Sequence, residues 1–113
     1  MQTNVIYPPK VKKAVDALLN NPAKCGPELR QAVERFAAKL GGAAGETPEL
    51  PASLVDYVRR VALHAYETTD EDLARLGEAG YSDDEVFELT LCASIGAGLG
   101  RMERGLTLLR GGR

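Results

Sequence analysis

The stretch that decides the fold is residues 53–109, which read SLVDYVRRVALHAYETTDEDLARLGEAGYSDDEVFELTLCASIGAGLGRMERGLTLL. Three apolar patterns of helical period follow one another here with short junctions between them. At the last junction, Ser82 and Glu85 have the spacing of a capping box, and Tyr81 and Val86 have the spacing of a hydrophobic staple. Gly80 stands where a helix commonly stops. The stretch therefore predicts three consecutive helices.

These three helices are expected at residues 52–66, near 70–79 and 83–109. The first of them is central, and the ring of Tyr66 widens its apolar face. The short second helix points Leu73, Leu76 and Ala79 inward. The third and longest carries an apolar stripe that consists of Val86, Leu89, Cys92, Ile95, Leu99, Met102, Leu106 and Leu109.

Two further helices are predicted before this stretch. Residues 1–9 lack periodicity and read as an extended arm that packs Val5, Ile6 and Tyr7. A helix at 10–19 ends at Asn20-Asn21-Pro22, and a second begins at Pro27 and stops at Gly41-Gly42. The predicted fold is an all-α, single-domain bundle of about five helices over residues 1–113, with the third and fifth helices central.

Residues 41–51, GGAAGETPELP, have a linker-like composition. We interpret them as a connection within one domain, between an N-terminal part at 1–50 and a three-helix part at 51–113. The alternative is a hinge between two units, which is less favourable because neither half alone has enough apolar residues for a good core.

The last helix contains Gly96, Gly98 and Gly100, and each glycine inside a helix costs up to about 1 kcal/mol relative to alanine. Close approach of another helix would offset this cost, and we expect that helix to belong to a second copy of the chain. A kink near Gly98 and ligand binding against exposed backbone are the alternatives. Arg101 and Arg104, which flank Glu103, are expected to be exposed and to pair within the helix or with acidic turns of a second subunit.

Composition excludes several classes of protein. A formal charge of −2 on 113 residues gives no basic face for nucleic acid or for an anionic membrane surface. No apolar run approaches the ~18 residues of a membrane span, so a cytoplasmic protein is expected. With one histidine and no close cysteine pair, neither a metal nor a cofactor is predicted.

The words EAGYSDDE at 78–85 and ASIGA at 93–97, with the helices around them, resemble the carboxymuconolactone decarboxylase and alkylhydroperoxidase (AhpD-like) family. The resemblance covers residues 50–110 and implies an all-helical domain that forms homo-oligomers. Peroxidase members of the family carry a C-x-x-C-x-x-x-H motif and an upstream acid. The matching positions here are Ala65, Thr68, Asp72 and Ser53, so the resemblance implies a member without thiol peroxidase chemistry.

Two functions remain open at this point, besides a helical adaptor that would bind another protein through an exposed apolar patch on the first two helices. One is an oligomeric scaffold or small-molecule-binding protein without catalytic thiols. The other is an enzyme that acts on a small organic acid or lactone by acid–base chemistry through His64, Tyr66 and a carboxylate such as Asp72, because histidine alone has an unperturbed pKa near neutrality. A surface histidine at a helix C-terminus and a tyrosine with its ring in the core are the structural alternatives for the first two residues.

Overall fold

A computed structural model describes residues 9–111, and these residues form α-helices and one short 3-10 turn, without strands. The helices are α1 (Pro9–Asn20), α2 (Pro27–Gly41), α3 (Ala52–His64), α4 (Asp70–Glu78) and α5 (Asp83–Leu109). The 3-10 turn, Ala65–Glu67, joins α3 to α4. The predicted all-helical class is therefore confirmed for the described residues. The predicted arm lies outside them, except for Pro9, which begins α1.

The helix boundaries follow from local chemistry. Ser82 accepts a hydrogen bond from the Glu85 N–H at 3.2 Å, and the Glu85 carboxylate accepts one from the Ser82 N–H at 2.9 Å, which completes the predicted capping box. Gly42 ends α2 in the left-handed region, with φ of 118°. The α3 helix stops two residues before the predicted end, because the chain tightens into the 3-10 turn after His64.

The centre of the bundle is the pair formed by α2 and α5, which share the most extensive helix contact. The helix α5 is central as expected, but its main partner is α2 and not the expected α3. Where Gly96 and Gly100 face α2, the Glu34 and Ala38 carbonyls occupy the space that a side chain would need. Small residues let two helix backbones approach closely, so α2 is drawn against α5, and α3 packs beside them.

This contact also changes the prediction for the glycine seam. Gly96 and Gly100 dock onto α2 of the same chain rather than onto a second copy. Gly98 lies on the opposite side of α5, where an added Cβ would meet no described residue within 4 Å. The helix continues through Gly98 without a break.

The buried side of α5 differs from the predicted stripe. Val86, Leu89, Cys92 and Leu99 are buried as expected, whereas Ile95, Met102 and Leu109 are exposed. Their inward places are taken by small residues, because the close approach of α2 leaves no room for long side chains: Ala93, Gly96, Ala97 and Gly100.

Three other inward side chains were also predicted wrongly. Tyr66 lies in the 3-10 turn and is 83 % exposed, and Leu73 and Ala79 face outward on α4, leaving Leu76 as the buried apolar residue of that helix. A nine-residue helix has room for only a narrow buried stripe, and Asp72 takes the other buried position.

Two charged residues are buried in the contacts of α1 and α2. Arg30 is 2 % exposed and donates hydrogen bonds to the carbonyls of Leu18 and Asn21, at the end of α1. Glu34, one turn later on α2, is equally buried. The core that surrounds them draws apolar residues from all five described helices.

The charged residues in the C-terminal half of α5 do not pair as the sequence predicted. Arg101 donates a hydrogen bond to the Ala62 carbonyl of α3 at 2.5 Å. Glu103 is buried, at 8 % exposure, and makes no ion pair with any residue between 9 and 111. Burial and a tertiary hydrogen bond thus replace the exposed ion pairs that the sequence suggested.

Candidate functional site

The most chemically distinctive concave surface is a cleft of about 460 Å³ between α3 and α4, here called the α3–α4 cleft. Its walls combine charged, hydroxyl and apolar side chains: Ala52, Ser53, Asp56, Tyr57, Arg60, Asp72, Arg75 and Leu76. Two of these side chains are arginines that meet at one buried carboxylate. The cleft therefore concentrates hydrogen-bond donors beside a hydrophobic wall, as ligand pockets commonly do.

Asp72 is fixed at the cleft by its place in the first turn of α4. Thr69 caps this helix, and its side-chain oxygen accepts a hydrogen bond from the Asp72 N–H at 3.3 Å. In return, Asp72 Oδ2 accepts from the Thr69 N–H at 3.0 Å, which closes the capping box. The second oxygen, Oδ1, remains free to face the arginines.

Both arginines donate to that second oxygen. Arg60 Nη1 on α3 lies 2.5 Å from Asp72 Oδ1, and Arg75 Nη2 on α4 lies 2.7 Å from the same atom. Asp72 is 5 % exposed, whereas the side chains of Arg60 and Arg75 are 34 % and 65 % exposed. These three side chains sum to a charge of +1, with the negative member innermost, and Asp56 is a second carboxylate in the lining of the cleft.

The electrostatics keep Asp72 ionised. Hydrogen bonds from the Arg60 guanidinium, from the Thr69 backbone N–H and from Arg75 hold the pKa of Asp72 well below its usual range, although burial acts in the opposite direction. An aspartate with this pKa carries its charge throughout the neutral range. Its role is therefore to position the two guanidinium groups.

Hydroxyl groups border the cleft on the side of α5. The Tyr57 hydroxyl lies 2.7 Å from Thr90 Oγ1, and Thr90 donates to the Val86 carbonyl at 2.7 Å. Ser53 Oγ lies 3.3 Å from the Tyr81 hydroxyl, near the start of α3. These contacts tie α3 to α5 and to the turn before it, so the wall of the cleft is held from both ends.

The structure brings together only some of the predicted site residues. His64 and Tyr66 are both exposed and lie edge to face, with ring centroids 6.1 Å apart and an interplanar angle of 86°. Neither residue lines the α3–α4 cleft that holds Asp72. Ser53 and Asp72, two of the four positions that the resemblance singled out, do line it.

Sequence reasoning did not single out Arg60 and Arg75. A weak signal existed for Arg75, because it follows Asp72 by three residues and residues at that spacing are neighbours on a helix. Arg60 lies on another helix, 12 residues earlier in the chain, so its contact with Asp72 depends on how α3 and α4 pack.

The two cysteines lie away from this site and are buried. Cys25 is 3 % exposed and Cys92 is fully buried. Burial, followed by the neighbouring Glu88 and Glu85 carboxylates, raises the pKa of the Cys25 thiol to about 11, and burial likewise raises that of Cys92 to about 11. A thiol with this pKa is protonated at neutral pH and is a poor nucleophile.

Residues 9–111 contain neither a cluster of metal-ligating side chains nor a helix suited to a membrane. No group of three or more histidine, cysteine, aspartate or glutamate side chains is placed to hold a metal ion. None of the helices in this range is both long and apolar enough to cross a membrane.

The resemblance to the carboxymuconolactone decarboxylase and alkylhydroperoxidase family rests on residues 50–110 and their motifs, and it stays a prediction. The segments that carry it form the α4 to α5 junction and the middle of α5. Compared with known proteins, the chain matches no protein-family model, no curated protein and no solved structure.

Proposed function

We propose that this chain binds a small organic acid in the α3–α4 cleft, as a helical protein of the carboxymuconolactone decarboxylase and AhpD-like type without thiol peroxidase activity. The observation that carries the proposal is the meeting of Arg60 and Arg75 at Asp72. Each guanidinium has five N–H donors and uses one of them on this carboxylate. The other donors are available to a ligand.

A carboxylate is the chemical group that best fits these donors. The planar fork of a guanidinium matches the two oxygens of a carboxylate, and such charge-assisted hydrogen bonds are stronger than neutral ones. Leu76 and the ring of Tyr57 supply an apolar wall for the carbon skeleton of the ligand. The size of the cleft, about 460 Å³, suits a small molecule rather than a polymer.

The family resemblance supports the same location. The positions equivalent to the upstream acid and to the histidine of the peroxidase members are Ser53 and Asp72, and both line the cleft. The positions equivalent to the two cysteines, Ala65 and Thr68, lie in and just after the 3-10 turn. The cleft thus includes two of the four positions that the resemblance singles out, and the two positions equivalent to the cysteines do not line it.

An acid–base enzyme that uses His64, Tyr66 and Asp72 is less well supported. Asp72 is held in its ionised form, and the described hydrogen bonds engage both of its oxygens, so it is a poor proton donor at neutral pH. His64 and Tyr66 contact one another on the surface, outside the cleft. Binding therefore accounts for more of the geometry than acid–base catalysis does.

The test is a titration monitored by amide NMR, with succinate, acetate and the neutral analogue succinamide as probes. We expect saturable shifts in α3 and α4 with the carboxylates and none with succinamide. Arg75→Gln should weaken binding at least tenfold, since a hydrogen bond to a charged group contributes about 1.5 to 3 kcal/mol. Its exposure and the retained Arg60 contact allow the variant to fold.

Arg59→Gln is the matched control. Arg59 precedes Arg60 on α3 but is directed to the ring of Phe36, 6.0 Å away, and it does not line the cleft. Its affinity for the carboxylates should equal that of the unmodified chain. The absence of saturable binding by either carboxylate, or equal losses in the two arginine variants, would refute the proposed site.

A further inference from the structure

A second surface is unusual for a water-exposed helix: the side of α5 that faces away from α2. We call this side the outer face of α5, and it consists of Phe87, Leu91, Ser94, Ile95, Gly98, Met102, Gly105 and Leu109. Phe87 and Leu109 are 65 % and 84 % exposed, and Leu91, Ile95 and Met102 are each more than one-third exposed. The buried side is also largely apolar, and residues 89–100 of α5 carry no charge on any side; helix segments of this kind are normally covered all round.

The spacing along the outer face is that of a helix-pairing seam. Residues 91, 95, 98, 102, 105 and 109 are separated alternately by four and three positions, the repeat by which two helices pack along their length. Two members of the series, Gly98 and Gly105, are glycines at which a Cβ would meet nothing within 4 Å. The seam thus combines four protruding side chains with two empty positions, at Gly98 and Gly105.

We propose that the outer face of α5 binds the same face of a second copy, with the two helices antiparallel and Gly98 on the two-fold axis. Leu91 and Gly105 both lie seven residues from Gly98, so the leucine of each copy enters the empty position of the other. The glycine at the axis lets the two backbones approach closely.

The ends of the seam are also complementary. Phe87 and Leu109 both lie eleven residues from Gly98, about 16 Å along the helix at 1.5 Å per residue. Phe87 borders a groove of about 370 Å³ whose lining is mostly apolar and also includes Asp83 and Thr90: Tyr57, Leu73, Asp83, Val86, Phe87 and Thr90. Leu109, the most exposed large apolar residue described, lies at the other end. The antiparallel register places the Leu109 side chain of one copy at the groove of the other.

Charge selects the antiparallel direction. The first turn of α5 contains Asp83, Asp84 and Glu85, and Arg110 follows the last residue of the helix. An antiparallel pair brings each acidic end beside a basic end, whereas a parallel pair sets the acidic turns against each other. The opposed helix dipoles favour the same direction.

This inference does not depend on the α3–α4 cleft or on its ligand, and its test uses no ligand. One helix pair buries less surface than a standard-size interface, so we expect a dissociation constant of about 1 to 100 μM. Sedimentation equilibrium of the whole chain, up to about ten times the weaker of these values, should give a mass approaching twice the 12.1 kDa of one copy.

The Gly98→Glu substitution tests whether the chain dimerises through the outer face of α5 or through another surface. The position is exposed and has free space, so a single copy accommodates the side chain, but a dimer would hold two like charges at its axis. We expect this variant to remain at the mass of one copy throughout the series. The control is Gly77→Glu, on α4, another helical glycine with nothing within 4 Å, which should dimerise like the unmodified chain.

Two cysteine variants, mixed with each other, test whether the two α5 helices are antiparallel. Leu91→Cys and Gly105→Cys chains, mixed and oxidised with diamide, should cross-link to each other, because diamide takes up the two hydrogens lost as the thiols form a disulfide. A Leu91→Cys chain that instead cross-links to itself would refute the antiparallel arrangement. An unmodified chain that stays at one-copy mass, or a Gly98→Glu chain that dimerises as well as its control, would refute the interface.

Discussion

Gly96 on α5 lies against the carbonyl group of Glu34 on α2, so closely that a Cβ at position 96 would overlap the carbonyl oxygen. Gly100 repeats this relationship with Ala38, four residues further along both helices. In the opposite direction, a Cβ on Gly41 of α2 would stand 2.5 Å from the Ala97 carbonyl oxygen of α5. Glycines on both helices therefore set the distance at which the central pair packs.

Gly96→Ala should lower the free energy of unfolding by about 3 kcal/mol, because the methyl group forces two backbones apart. Gly77→Ala is the control and should raise that free energy by up to about 1 kcal/mol, since alanine has the higher helix propensity and position 77 has free space. Urea unfolding of both variants measures the difference. Changes of the same sign would contradict the close contact of α2 and α5.

Asp72→Asn should destabilise the chain by about 1 to 2 kcal/mol at pH 7. The pKa of Asp72 is lower in the folded than in the unfolded chain, so its contribution is complete above the unfolded value of about 3.9 and is lost as the pH falls through the folded value. The stability difference between the two chains should therefore be constant above about pH 5 and shrink below about pH 4.

Thermal unfolding across a pH series measures this effect. Asp70→Asn is the control, because Asp70 lies in the same first turn but is exposed. Its replacement should change the stability only slightly, through the helix dipole. An Asp72→Asn chain with the pH profile of this control would show that the two arginines do not stabilise the carboxylate.

Glu34→Gln should stabilise the chain, whereas Asp72→Asn destabilises it. Burial raises the pKa of Glu34 above its usual value, and its Oε2 atom has no hydrogen-bond partner among residues 9–111. Ionisation of the folded chain is therefore unfavourable, and stability falls as the pH rises from the unfolded pKa toward the folded one. The neutral amide should stabilise the chain by about 1 kcal/mol at pH 7.

The benefit of Glu34→Gln should vanish below about pH 4, where the glutamate is protonated in both states. Glu28→Gln, at an exposed position in the first turn of α2, is a suitable control. Unfolding monitored by circular dichroism at several pH values measures both variants. A Glu34→Gln chain that is less stable than the parent at pH 7 would mean that the carboxylate has a favourable partner.

The thiols of Cys25 and Cys92 should react slowly with a disulfide reagent such as DTNB at pH 7.5. Both are buried, and a pKa of about 11 leaves little thiolate at that pH. Reaction should become fast in denaturant, where both side chains are exposed. A rapid reaction of the native chain would contradict this burial and would reopen the question of thiol chemistry.

The sequence was sufficient where a few neighbouring residues determine the outcome. The capping box of Ser82 and Glu85 is a local arrangement, and it correctly placed the start of α5. The same was true of the stop at Gly41-Gly42. By contrast, the inward direction of α5 depends on which helix lies against it, and a series of apolar residues at helical spacing does not contain that information.

In the candidate site, too, local arrangements could be predicted from the sequence and contacts between helices could not. Asp72 was identified through its position in a motif, and the capping box that holds it at the start of α4 is a local arrangement with Thr69. Arg60, whose hydrogen bond lowers the pKa of Asp72, lies on another helix, so no local pattern indicates this contact. His64 and Tyr66 drew attention through their chemistry alone, and the structure places both on the surface.

Arg30 links the end of α1 to the body of the bundle through its hydrogen bonds to Leu18 and Asn21. The other contacts of α1 are with α2 and, to a smaller extent, with α5. A peripheral helix attached in this way can open while α2 and α5 stay closed. In native-state hydrogen exchange, the amides of α1 should therefore be replaced as one group and before those of the central pair, so that the loss of order in this chain begins at one edge and proceeds inward.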